Sequence, residues 1–172
     1  LTHDDGTINA GAVAATTPAS DVYADAENGD DANDGLSEAT AKKTLQAAIE
    51  VRAPANTRVV ALPGVYKEGS ALHVGKSFSN GKGPAQPSIR SRVVVPANKT
   101  LVSRGGPLVT VIEGASDSES SDEYGRGPKA IRCAFLEKNA TLSGFTVRHG
   151  HSDYYRSSGA DAHDTLYQDD LF

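Results

Sequence analysis

Apolar positions along this chain follow two rhythms. From Thr40 to about Arg52, Ala41, Leu45, Ala48 and Ile49 recur at i, i+4, i+7 and i+8, the spacing of one face of an amphipathic helix. Thr40 or Ser37 is placed to cap its N-terminus, and Pro54 to stop it. Beyond the helix, short Val-rich runs alternate with Gly, Pro, Ser and Asn clusters, the pattern of short strands joined by turns. Ahead of it, Asp21-Val22-Tyr23-Ala24-Asp25 alternates as a short strand and runs into a turn-dense acidic loop over 28–35. Residues 1–20, rich in Ala, Thr and Gly without a sustained period, predict an extended or disordered leader.

The strand-forming part repeats. Pro54-Ala55-Asn56-Thr57-Arg58-Val59 returns as Pro96-Ala97-Asn98-Lys99-Thr100-Leu101 and, more loosely, as Lys138-Asn139-Ala140-Thr141-Leu142. The Asn recurs after 42 and then 41 residues, each time with an apolar residue three positions later: Val59, Leu101, Leu142. A β-prone run precedes the second and third Asn, namely Arg92–Val95 and Ile131–Leu136, whereas the helix precedes the first. Short strands at a period of about 40 predict a solenoid of stacked coils, its first coil covered by the helix. An uncovered coil would expose a row of unpaired backbone groups. The surplus length falls in two polar insertions, Lys76–Ser88 and Ser116–Pro128, expected as external loops. The alternative is a β-sandwich whose repeat is accidental.

Composition narrows the function classes. The 172 residues carry 17 Lys+Arg against 22 Asp+Glu, a net charge of -5 that argues against nucleic acid as the main partner. A single domain of this size buries roughly two-thirds of its unfolded surface, and one cysteine, Cys133, excludes an internal disulfide framework. No apolar run approaches the ~20 residues of a membrane-spanning helix, and the first residues lack the features of a signal peptide. A chain that starts at Leu1 and contains no Met is expected to be a processed or excised product.

Four segments carry a resemblance. Asn33-Asp34-Gly35-Leu36-Ser37, then Lys43-Thr44-Leu45-Gln46-Ala47-Ala48-Ile49, then Leu62-Pro63-Gly64-Val65-Tyr66-Lys67-Glu68 resemble the N-terminal signature of right-handed parallel β-helix proteins of the pectate-lyase-like superfamily. Leu142-Ser143-Gly144-Phe145-Thr146-Val147 resembles the later coil cadence of the same proteins, so the likeness covers about residues 21–150. One departure is Ala41-Lys42, where the family usually carries Pro and an aromatic residue. The resemblance implies an all-β fold: a short right-handed parallel β-helix of about three coils with a helical N-terminal cap at 40–52, followed by a C-terminal tail or cap at 151–172. It implies a secreted or cell-surface protein, bacterial in type, from a group that includes polysaccharide lyases, hydrolases, epimerases and non-catalytic adhesins. Family enzymes hold their catalytic Lys or Arg and a calcium-binding Asp cluster on middle coils, and no residue here matches a catalytic position.

Two constellations invite a metal. In the acidic loop, Asp30, Asp31, Asn33 and Asp34 supply the hard oxygens that calcium wants. Taking Gly35 as position 6 of an EF-hand loop puts Ala32 and Ala41 at ligand positions 3 and 12, so the EF-hand template fails and an Asn/Asp-stabilised turn is the competing reading. Near the C-terminus His149, His151 and Asp153 alternate, with Asp161, His163 and Asp164 a short loop later, a set that converges on zinc or another divalent ion only if the second cluster folds back. For a glycan, Arg132 and Arg148, with Arg104 and Lys138, lie on or beside predicted strands, and Tyr154, Tyr155 and Tyr167 offer stacking faces. The competing readings are solvent-facing charges and rings that cover the last coil. Asn98-Lys99-Thr100 and Asn139-Ala140-Thr141 match the glycosylation sequon but coincide with the repeat's turn Asn.

The function these readings predict is a non-catalytic extracellular module with a structural, adhesion or glycan-contacting role, self-assembling through its open coil end into a homo-oligomer or meeting further coils. The alternative is a polysaccharide lyase or glycoside hydrolase, with calcium as cofactor.

Overall fold

Strands in three sheets make up most of the regular structure. The computed structural model describes residues 21–51, 58–73, 89–121 and 123–152. The elements are β1 (Val22–Ala24), a 3-10 turn (Glu38–Thr40), α1 (Leu45–Glu50), β2 (Arg58–Ala61), β3 (Gly64–Tyr66), β4 (Ala71–His73), β5 (Ile89–Val95), β6 (Thr100–Ser103), β7 (Thr110–Glu113), β8 (Arg132–Leu136), β9 (Thr141–Ser143) and β10 (Thr146–Arg148). The sheets are ordered β1-β2-β6-β9, β3-β7-β10 and β4-β5-β8. Every pairing is parallel except β4 with β5. The described residues are therefore mostly β-strand, in largely parallel sheets, with little helix. From β5 onward it visits the third, first and second sheets in that order twice, as β5-β6-β7 and then β8-β9-β10.

The sequence repeat is the register of the first sheet. Val59 pairs with Leu101 and Leu101 with Leu142. Val22, opposite Val59, extends this row to β1. Val22, Val59 and Leu101 are at most 1% exposed, and burying one such side chain contributes about 1.5–3 kcal/mol. A second row runs from Tyr66 through Ile112 to Val147, and in the third sheet Val93 faces Ala134 and Val95 faces Leu136. The turns before β6 and β9 place Asn98 and Asn139 at φ 62 and 60, the left-handed region that Asn tolerates better than most residues. Asn56 lies outside the described residues.

The helix departs from its predicted bounds. It starts at Leu45, capped by the Thr44 side chain, which accepts from the Ala47 N–H, and Ser37 caps the 3-10 turn instead. The cause is a competing partner. Lys42 pairs alongside Ala24, its N–H donating to the Tyr23 carbonyl (3.0 Å) and its carbonyl accepting from the Asp25 N–H (2.8 Å). Residues 41–42 are thus extended along the edge of β1, and extended backbone cannot also close helical hydrogen bonds. Ala41 is buried as part of this edge, not of the helix. The buried face of α1 is Leu45, Ala48 and Ile49. Gln46 takes a separate role: its Oε1 accepts from the Val94 N–H of β5 at 2.9 Å.

The insertion Ser116–Pro128 is only partly external, since Asp117 and Gly127 are buried within it. The other insertion, the leader 1–20, Pro54 and residues 153–172 lie outside the described residues.

Candidate functional site

The acidic loop uses its oxygens on itself. Asp30 Oδ1 accepts from the Ala32 N–H. Asp31 Oδ1 accepts from the Lys43 and Thr44 N–H groups, and its Oδ2 accepts from the Thr44 hydroxyl. Asn33 donates from Nδ2 to the Ala41 carbonyl. Asp34 Oδ1 accepts from the Leu36 N–H and the Thr40 hydroxyl, which together hold its carboxyl below the usual carboxylate value. Burial opposes ionisation of Asp25, yet the Asn28 and Glu27 N–H groups outweigh it and its carboxyl also titrates low. The bonds of Asp25, Asp30 and Asp34 to N–H groups two or three residues on are those of Asn/Asp-stabilised turns, whereas Asp31 and Asn33 tie the loop to residues 41–44. They fold the loop back over β1, where the Tyr23 N–H donates to the Gly35 carbonyl at 2.8 Å. Among the described residues no group of three or more His, Cys, Asp and Glu side chains is placed to hold a metal ion.

The two histidines take separate partners. His149, at φ 55, sets Nδ1 3.8 Å from Glu113 Oε2, while His151 Nδ1 lies 2.8 Å from the Tyr124 carbonyl. Arg148 of β10 sits beside Glu113 of β7 and donates to its Oε2 from both Nε (2.8 Å) and a terminal nitrogen (2.7 Å). That hydrogen bond, against some desolvation, lowers the Glu113 carboxyl. Arg132 is half-buried on β8 beside Ser91, and Arg104 is paired with Glu38. Asp153, Tyr154, Tyr155, His163 and Tyr167 lie outside the described residues.

What the structure does assemble is a shallow, open cleft of about 620 Å³ between the loop after β7 and the segment Gly150–Ser152. Its neck is a two-way backbone pairing: the Ala115 N–H donates to the Ile131 carbonyl (2.9 Å) and the Ile131 N–H to the Ala115 carbonyl (2.7 Å). Asp117, 4% exposed, organises the wall. Its Oδ1 accepts from the Glu119 N–H and its Oδ2 from the Lys129 N–H, and those bonds lower its carboxyl. Gly127 packs so closely that a Cβ there would sit 2.4 Å from Asp117 Oδ2. On the rim Tyr124 is 62% exposed, with the Arg126 guanidinium 5.1 Å from its ring centroid, a cation–π distance. Ring, guanidinium, His151, Glu123 and Ser120 give the cleft a flat aromatic face edged by hydrogen-bonding groups. Such a set can bind a polar ring. The Asp117 oxygens themselves are occupied by backbone donors.

Two residues escaped the sequence reading. Tyr124 sits in a Ser/Asp/Gly-rich insertion with no periodicity to mark it. Arg92, 9% exposed, lies inside a Val-rich run and donates from Nε to the Glu113 carbonyl and from NH1 to the Gly69 carbonyl, both at 2.7 Å. Desolvation lowers its pKa, with Cys133 and Glu113 opposing. Its sequence signal was a charge inside an apolar strand. Cys133 is half-buried and donates from Sγ to the Arg148 carbonyl at 3.1 Å; burial raises its thiol pKa, away from the thiolate that reactive cysteines need. Comparison with protein-family models, with curated proteins and with solved structures finds no match to the chain.

Proposed function

We propose that the chain is a short right-handed parallel β-helix, of the kind its N-terminal segments resemble, serving as a non-catalytic extracellular structural or adhesion module that contacts glycans through the Tyr124 cleft. The observation that carries the fold is the row Val59, Leu101, Leu142, in which a period of 42 and 41 residues becomes lateral strand pairing. The two identical passes through three sheets support the same reading. Handedness follows from the general rule that parallel crossovers are right-handed in about 98% of cases. No helix among the described residues is long and apolar enough to cross a membrane.

The glycan half of the proposal rests on the exposed Tyr124 ring beside Arg126 and His151, since a sugar offers an apolar ring face for stacking and hydroxyls for the polar rim. Titration calorimetry against a panel of neutral and acidic oligosaccharides tests it. The expected result is binding of at least one member, weakened about tenfold in Tyr124→Ala, which is ~1.4 kcal/mol. Equal binding by Tyr124→Ala, or none by the wild type, overturns it.

A further inference from the structure

His151 is held at two points. Its backbone N–H donates to the Ile131 carbonyl at 3.2 Å, and its ring Nδ1 lies 2.8 Å from the Tyr124 carbonyl. A carbonyl oxygen only accepts, so Nδ1 carries the ring proton, and the neutral imidazole is left with an unprotonated Nε2. The same bond joins the segment after β10 to the insertion that carries Tyr124, the two walls of the shallow cleft that His151 lines. Nε2 is therefore the one ring nitrogen that can serve a ligand there, and in the neutral ring it serves as an acceptor. The surrounding charges have the same bias. The insertion brings the Asp117 and Glu123 carboxylates against the Arg126 guanidinium, an excess of one negative charge among the described lining residues. Glu119 and Lys129, next to the Asp117 bonds, pair with each other. On the opposite side β8 sets half-buried Arg132 and Cys133 beside Gly150, while His149 turns to Glu113.

We infer, building on the glycan reading above, that His151 makes the cleft selective for a neutral sugar, one of whose hydroxyls donates to Nε2, over an acidic sugar. A hydroxyl brings the hydrogen that the Nε2 lone pair needs. A carboxylate brings only lone pairs, together with a charge of the sign the cleft already holds in excess. Protonation of the ring weakens this preference. Nε2 then donates, which suits a carboxylate, while a hydroxyl, able to accept as well as donate, keeps its bond. Nδ1 keeps its proton throughout, so the ring stays tied to the Tyr124 carbonyl. Imidazole is the side chain that changes charge between about pH 5 and 8, and a uronate stays ionised across that interval. The selectivity therefore narrows as pH falls through it.

Titration calorimetry near both ends of that interval tests the inference, with neutral gluco- and galacto-oligosaccharides each measured beside the uronate oligomer of the same linkage. The wild type should bind the neutral member about fivefold or more tightly near about pH 8, and the gap should narrow near about pH 5.5. His151→Asn should abolish the narrowing, because its side-chain N–H can still donate to the Tyr124 carbonyl but it carries no titrating nitrogen. The variant retains His149, so the loss assigns the effect to His151. Uronates bound as tightly as their neutral partners at the alkaline end, a gap that does not change with pH, or one that narrows equally in both proteins overturns the inference and leaves the glycan reading standing. Binding of no oligosaccharide by the wild type overturns both. Nitrogen NMR of the free protein reads the tautomer directly, and a neutral His151 ring protonated at Nε2 overturns the inference whatever binds.

Discussion

Asn139 donates from its side-chain amide to Oδ1 of Asn98 at 3.2 Å, each residue sitting at the same turn one strand apart. The backbones are stitched in parallel, the Asn98 N–H donating to the Lys138 carbonyl and the Thr141 N–H to the Lys99 carbonyl. Asparagine therefore does two jobs here. It accepts a left-handed φ that costs most residues about 1–2 kcal/mol, and it passes a hydrogen bond to the neighbouring strand's turn. Asn98→Ala is expected to destabilise the chain by about 1–2 kcal/mol in urea titration. Asn98→Gly, which restores the φ but not the amide, should lose less. An Ala variant as stable as wild type would show that the turn relaxes.

Gln46 yields a sharper test because its two halves are separable. The Val94 N–H donates to Gln46 Oε1, so Gln46→Ala leaves that donor without its partner, at a cost of about 1–3 kcal/mol if it stays dry. Gln46→Glu keeps an acceptor oxygen for Val94 but replaces the Nε2 donor to Glu50 Oε1 by a second carboxylate, so it is compared in a Glu50→Gln background, where it should retain most of the stability. The local readout is hydrogen exchange at Val94, expected to accelerate in the Ala variant and to stay slow in the Glu variant. Equal rates in all three proteins would remove the side chain as the cover of this edge.

The first sheet was legible in the sequence because its row members, Val59, Leu101 and Leu142, repeat beside a turn Asn, and lateral parallel pairing maps constant sequence spacing onto constant register. The helix was legible in kind but not in extent. Ala41 carries the helical spacing, yet its segment is claimed by β1, a tertiary contact that no local pattern announces. The cleft was illegible for a related reason. Its wall depends on Asp117 reaching the N–H of Lys129 across twelve residues of loop, and loop closure of that kind leaves no periodic trace. The acidic loop was read both as a cation site and as a turn; Asp30 and Asp34 bond the N–H groups two residues on, as in the turn, whereas Asp31 reaches across to Lys43 and Thr44, a contact neither reading announced.

The carboxylates make the fold acid-sensitive. Asp21, bonded to Arg58, has a lowered pKa, as do Asp34, Glu113 and Asp117. A carboxyl that titrates lower in the folded chain contributes stability that is complete above its unfolded pKa and is lost as pH falls through the folded value. Stability should therefore be flat above the ordinary carboxylate range and decline below about pH 4. Arg148→Ala removes the largest cause of the Glu113 shift, so its stability should lie closer to wild type at low pH than at neutral pH. Denaturant midpoints measured across pH for both proteins check this, and a constant gap at every pH would contradict it.

At the alkaline end one residue dominates. Tyr66 is 3% exposed and its hydroxyl lies 2.8 Å from the carbonyls of both Ala24 and Leu62, tying β3 to β1 and to the turn before it. Burial, reinforced by the nearby Asp25 charge, pushes its pKa well above the ordinary phenol value. The sign is opposite to that of the carboxylates. The folded chain holds the proton that the unfolded chain releases, so this contribution is complete below the unfolded pKa of about 10 and is lost as pH rises beyond it. Tyr66→Phe should cost about 1 kcal/mol at neutral pH through the lost hydroxyl bond. It should also flatten the alkaline decline, because no phenol remains there to ionise on unfolding. In an ultraviolet pH titration the wild type should release one tyrosine's phenolate absorbance only together with its unfolding transition, and Tyr66→Phe should lack that step. A step that persists in the variant would assign it to another tyrosine and would mean that the Tyr66 hydroxyl reaches solvent.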